Sequence, residues 1–181
     1  MILTASKILE EVEAGSIVID PFNRENLGPN SYDVSLAPDL LVYECEVLDP
    51  HAKNPTNPIT IPPEGYVLAP GELYLGNTIE RVGSERFVPC LEGRSSLARL
   101  GVSIHQTAGF GDLGFISRWT IEVMVIRPVR VYPGMRIGQF AFHAPLGEIG
   151  QLYRGKYGQT AGTTVESSKS FLDREVPRGE A

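Results

Sequence analysis

Cysteine is scarce. Cys45 and Cys90 are the only two in 181 residues, and neither falls in a C-x-x-C spacing, so the sequence offers no disulfide framework and no structural zinc site. That usage fits a reducing, cytoplasmic setting. Long apolar runs are also missing: no segment approaches the roughly 18 apolar residues of a membrane span. The N-terminus, MILTASKILEE, has no basic stretch leading into an apolar one, so the chain reads as unexported and without a membrane partner. Basic residues are in the minority, 16 Lys and Arg against 22 Asp and Glu, and they form no run. Nonspecific nucleic-acid binding needs clustered cations that release counterions, so nucleic acid is not an expected partner and any anion must be gripped locally. Internal repeats and heptads are absent.

Turn residues are plentiful, with 19 glycines and 14 prolines, while 42% hydrophobic and 21% charged residues suit an ordinary packed core. The length allows one domain, and the punctuation favours many short strands over long helices. Residues 4–14 read as an amphipathic helix, with Thr4 at the N-cap, Ile8, Leu9 and Val12 on one face, and Gly15 as the stop. Strands are expected at 16–19, 32–36, 40–43, 58–61, 66–68, 74–78, 102–106, 119–126, 129–131 and 137–143, with a short helix near 95–100. The polar, proline-rich stretch 49–58 reads as an exposed loop. Residues 1–165 are expected to form the domain, including a glycine-rich lid at about 147–164, and 166–181 a loose polar tail.

Three segments carry chemistry. In EGRSSLARLGV, Ser95 and Ser96 open a short helix that Gly101 ends; its free amides, with Arg94 and Arg99 beside them, could hold an anion, or the segment could be a serine-capped surface helix with two solvated arginines. In HQTAGFGDLGFISRWTIEVMV, glycines around Asp112 let the backbone approach a ligand while the carboxylate accepts from a hydroxyl, as on a sugar. Period-two alternation sets Ile121, Val123 and Val125 on one face of the following strand and Thr120, Glu122 and Met124 on the other. Glu122 is then either on a wet sheet face or in a cleft as a general base. In YRGKYGQTAGTT, Arg154, Lys156 and Gln159 on glycine hinges suit a closing phosphate lid or a merely flexible loop. His51, His105 and His143 are too scattered for a metal triad, His105 reading as a hydrogen-bonded structural residue, and Trp119 reads as core or interface packing. Zinc deamination needs H-x-E with P-C-x-x-C, but His105 is followed by Gln106 and Thr107, and Pro89-Cys90 by Leu91, Glu92 and Gly93.

In order along the chain, NSYDVSL, GRSSLARLG, AGFGDLGF with TIE, GMRIGQF and RGKYGQTAGTT resemble the five motifs of the dCTP deaminase and trimeric dUTPase superfamily. The resemblance implies a mainly β subunit, a distorted β-barrel or jelly roll of the β-clip type with an N-terminal helix and one short internal helix. It further implies a homotrimer with sites between subunits, and a deoxynucleoside triphosphate bound with Mg2+ and without zinc. On the matching positions, Glu122 would move the proton that activates water against cytosine, while Ser95 and Arg99 position that water. Arg94, Ser96, Gln139, Tyr153, Lys156 and Gln159 would hold the triphosphate and lid, Asp112 the 3′-hydroxyl, and Thr120 and Ile121 the base through their main chain. Asp33 would sit at a subunit contact, in the outer shell of the metal, or in solvent. Glu122 stands where deaminases place their glutamate, and HQTAGF is similar to the bifunctional enzymes that carry dCTP through dUTP to dUMP, Asp112 then helping to orient a second water. The alternatives are a deaminase alone, a dUTPase alone, or a regulator that binds nucleotide without turnover; dTTP is an implied inhibitor. The departures are Ser117, Arg118 and Trp119 where smaller residues are usual, a Lys156–Gln159 spacing one residue short, and the 49–58 loop.

Overall fold

A computed structural model describes residues 1–157 and 165–173. One helix, α1 (Ala5–Glu13), opens the chain, and Gly15, with φ of 75°, turns it into the first strand. Thr4 occupies the N-cap position as expected, but its side chain makes no capping bond. Glu11 is buried on the helix and paired with Lys7 at 2.8 Å; the hydrogen bond from that ammonium is the main cause holding its carboxyl below the usual 4.5.

Among the described residues eleven strands follow: β1 (Ile17–Asp20), β2 (Tyr32–Ser35), β3 (Asp39–Tyr43), β4 (Thr56–Thr60), β5 (Tyr66–Leu68), β6 (Tyr74–Ser84), β7 (Val88–Gly93), β8 (Val102–Ser103), β9 (Ile116–Val125), β10 (Val129–Val131) and β11 (Arg136–His143). A four-residue helix, α2 (Ser95–Ala98), lies between β7 and β8. Among the described residues all strand pairings are antiparallel. The largest sheet runs β4-β3-β6-β9-β8 with β1 on β6, a second runs β2-β11-β7, and β5 pairs β10. An isolated bridge, Leu36 to Thr78, ties the end of β2 to β6, so the sheets enclose one core instead of closing into a regular barrel.

The core is built by alternation. Along β9 every second residue from Ser117 to Val125 is buried, and Tyr32, Phe140 and Phe142 fill the space beneath it from the smaller sheet. Trp119 belongs to this core: its indole N–H donates to Val82 O at 3.0 Å, and its ring meets Phe115 and Phe140 edge-on.

Several boundaries differ from expectation. β6 continues six residues past Thr78, through Glu80 and Arg81, because the buried Glu80 carboxylate accepts from Ser35 N–H at 2.8 Å and a register shift between Asn77 and Arg81 absorbs the irregularity. β4 starts at Thr56, so the proline-rich loop ends at Pro55, where Glu44 N–H donates to Pro55 O. β8 stops at Ser103, short of Gln106. In its described part, residues 166–173, the polar tail is held to the body by hydrogen bonds from Ser168, Lys169 and Ser170 to Tyr43, Tyr157 and Pro50.

Candidate functional site

β7 delivers Arg94 to the start of α2, and Gly101, with φ of 79°, ends the turn as expected. Arg94 itself is the N-cap and neither serine supplies a capping bond, so the serine-capped reading gives way to a helix whose Ser95 and Ser96 hydroxyls stay exposed. Arg99 is exposed too, reaching back to Ser95 O at 3.3 Å. The Arg94 guanidinium pairs with Asp33 at 3.2 Å, and Arg136, which the sequence reading passed over inside GMRIGQF, approaches the same carboxylate at 3.6 Å. Gln139 faces Asp33 across β2 and β11, donates to Gly93 O at 3.3 Å and accepts from Ser31 Oγ at 2.9 Å. The smaller sheet therefore sets Arg94, Arg136 and Gln139 in one cluster beside α2.

A second group surrounds a cavity of about 410 Å3, within the range of small-molecule sites. Asp112, Thr120, Glu122 and Tyr153 line it together, and Ile121 does not. Ile121 is fully buried opposite Gly76 of β6, as the alternation requires. Glu122 Oε2 accepts from Gln106 N–H at 3.3 Å, and Glu122 N–H donates to Ile104 O, so the loop after β8 fixes both its carboxylate and its main chain. The Asp112 side chain is exposed while its carbonyl accepts from Phe115 N–H, closing a turn at Gly114, whose φ is 89°. Phe115 joins Trp119 and Tyr153 edge-on as the apolar wall.

The tail supplies a further side of this cavity through Glu166, Ser167 and Ser168. Tyr43 OH accepts from Ser168 N–H at 3.1 Å, Tyr157 OH accepts from Lys169 N–H at 3.0 Å, and Ser170 Oγ donates to Pro50 O. Lys156 pairs with Asp173, and its ammonium lies 5.5 Å from the Tyr157 ring centroid. Sequence reasoning missed Tyr43, Glu166 and Phe110 as lining residues; for Tyr43 and Glu166 nothing in the local pattern could have signalled a partner more than a hundred residues away. Gln159 lies outside the described residues, as do residues 158–164 of the expected lid.

Among the described residues no hydrogen bond or ion pair joins Arg94, Ser95, Ser96 or Arg99 to Asp112, Thr120 or Glu122, so within one chain these residues form two separate groups. His105 Nε2 lies 3.7 Å from the Glu92 carboxylate, and its Nδ1 is buried without a hydrogen-bond partner among the described residues, which departs from the expected hydrogen-bonded structural histidine. No cluster of three His, Cys, Asp or Glu side chains forms among the described residues, and no helix there is long and apolar enough to cross a membrane.

The dCTP deaminase-like family profile matches residues 2–144. The "dCTP deaminase, dUMP-forming" of Clostridium beijerinckii is 45% identical over 97% of this chain and 99% of its own. That of Hathewaya histolytica is 47% identical over 97% and 100%, and that of Leptospira biflexa 48% over 97% and 99%. In fold, the 2′-deoxycytidine 5′-triphosphate deaminase of Agrobacterium tumefaciens superposes with a TM-score of 0.64 at 17% identity, covering 80% of this chain and 48% of that one.

Proposed function

The chain belongs to the dCTP deaminase-like family, and from that premise we propose that it converts dCTP through dUTP to dUMP, the reaction for which its full-length relatives are named. The observation that carries the reading is Glu122 and Asp112 in one cavity, with Thr120 lining it beside them. Glu122 takes a proton from water as the oxygen attacks the amine-bearing carbon of cytosine, then passes it to the departing nitrogen, so that dCTP and water give dUTP and ammonia. Held by the Gln106 amide, the carboxylate meets the water in a fixed direction. Asp112 takes the 3′-hydroxyl and helps to orient a second water toward the α-phosphate, so that dUTP and water give dUMP and diphosphate.

Ser95, Ser96, Arg94 and Arg99 lie on the other half-site, which supports a homotrimer in which one copy brings α2 and its arginines to the cavity of the next. There the guanidiniums grip the triphosphate, Ser95 and Arg99 fix the deaminating water, and Gln139, Tyr153, Lys156 and Gln159 complete the enclosure. Mg2+ fits as a passenger on the phosphates, since Asp33 is engaged by two arginines and no carboxylate cage stands among the described residues. When bound, it supplies neutralisation of phosphate charge. A reaction on the deoxynucleotide pool fits a cytoplasmic setting, where dTTP would compete for the same site.

Incubation with Mg2+ and dCTP, and separately with dUTP, followed by ion-exchange separation, tests this. Expected are dUMP from both substrates and ammonia from dCTP alone. Accumulation of dUTP with inert dUTP controls would reduce the activity to deamination, and no turnover of either would leave a nucleotide-binding regulator.

A further inference from the structure

Phe110 lies in the segment Gly109-Phe110-Gly111, which is laid against β7. Leu91 N–H donates to Gly109 O at 2.6 Å, Gly111 N–H donates to Pro89 O at 2.9 Å, and Phe110 bridges to Cys90. Both glycines are buried, and neither site has room for a side chain: a Cβ on Gly109 would press on Leu91 O, and one on Gly111 on the Trp119 indole. The backbone is thus pinned on both sides of the phenylalanine. Its ring nevertheless stands 71% exposed, on the rim of the cavity that holds Glu122, Thr120 and Asp112.

The other aromatic side chains lining that cavity are already engaged. Phe115 packs edge-on against both Trp119 and Tyr153, while the Tyr43 and Tyr157 hydroxyls accept from the tail amides. Among the described residues Phe110 has no ring partner. A planar heterocycle addressed at its edge by β9 still needs an apolar contact for its face. A rigidly presented, unpaired phenyl ring at the mouth of the cavity meets that need.

We propose that Phe110 is the stacking surface for the pyrimidine ring of the bound nucleotide, a binding and specificity residue set apart from the groups that grip phosphate. The proposal rests on the dCTP reading above and adds the residue that reads the face of the base.

The test compares wild type, Phe110→Ala and Phe110→Trp as full chains, measuring dCTP affinity by calorimetry, competition by inorganic tripolyphosphate, and thermal midpoint. Loss of a base-stacking ring weakens binding roughly 5- to 150-fold. Expected are a loss of dCTP affinity in that range for Phe110→Ala, recovery in Phe110→Trp, and unchanged tripolyphosphate competition. Wild-type dCTP affinity in Phe110→Ala overturns the proposal. So does a parallel loss of tripolyphosphate competition, or a change of oligomeric state on light scattering, which would make Phe110 a packing residue between copies. If wild-type protein neither binds nor turns over dCTP, it is the parent reading that fails.

Discussion

Glu122 has its carboxylate fixed by a main-chain donor, the Gln106 amide, while still facing the cavity. Asp112 is exposed, and Asp33 is tied to two arginines. An amide can replace the carboxylate with almost no change of shape but cannot accept a proton. Glu122→Gln is therefore expected to lower ammonia release from dCTP by at least about 100-fold, the lower end of what a positioned acid-base group contributes. Binding of dCTP, followed by equilibrium dialysis, should change little; full deaminase activity in this variant would remove Glu122 from the reaction.

At the scale of elements, the geometry that shapes the cavity depends on tight backbone approach. Gly111 lies against the Trp119 indole, with Pro89 Cγ 2.9 Å from where a Cβ would stand, so the loop and β9 meet only because no side chain intervenes. Gly111→Ala forces an overpacked contact costing about 1–3 kcal/mol. Scanning calorimetry should show a midpoint lowered by about 2–12 °C. What the sequence made legible at this scale was whatever obeyed a period or a steric demand: the alternation of β9 and the Gly15 and Gly101 stops. β6 was read short because Glu80 and Arg81 interrupt its alternation, and a buried carboxylate satisfied by Ser35 of another strand leaves no local trace. The tail was read as loose for the same reason. Its anchors, Tyr43 and Pro50, are remote in sequence, so its polar composition spoke only of solvent. The site residues came from ordered motifs, but their division into two groups is a property of folding that no spacing displays.

Across the whole molecule that division has a consequence for assembly. If each working site takes α2 from one copy and the Glu122 cavity from the next, two differently damaged chains can repair each other. Arg99→Ala and Glu122→Gln, each inactive alone, should regain about a quarter of wild-type activity when mixed in equal amounts and allowed to exchange subunits, as random pairing of half-sites in a cyclic assembly dictates. The check is dUMP formation before and after exchange. Two inactive variants that stay inactive after verified exchange would mean that each chain completes its own site.

Trp119 is the single tryptophan of the chain, and its indole serves at once as core packing under β9 and as part of the cavity wall. The protein thus carries its one indole fluorophore at the position where a nucleotide would lodge. Its emission can report occupancy without any attached dye, so the filling and emptying of the site can be followed in real time through both chemical steps.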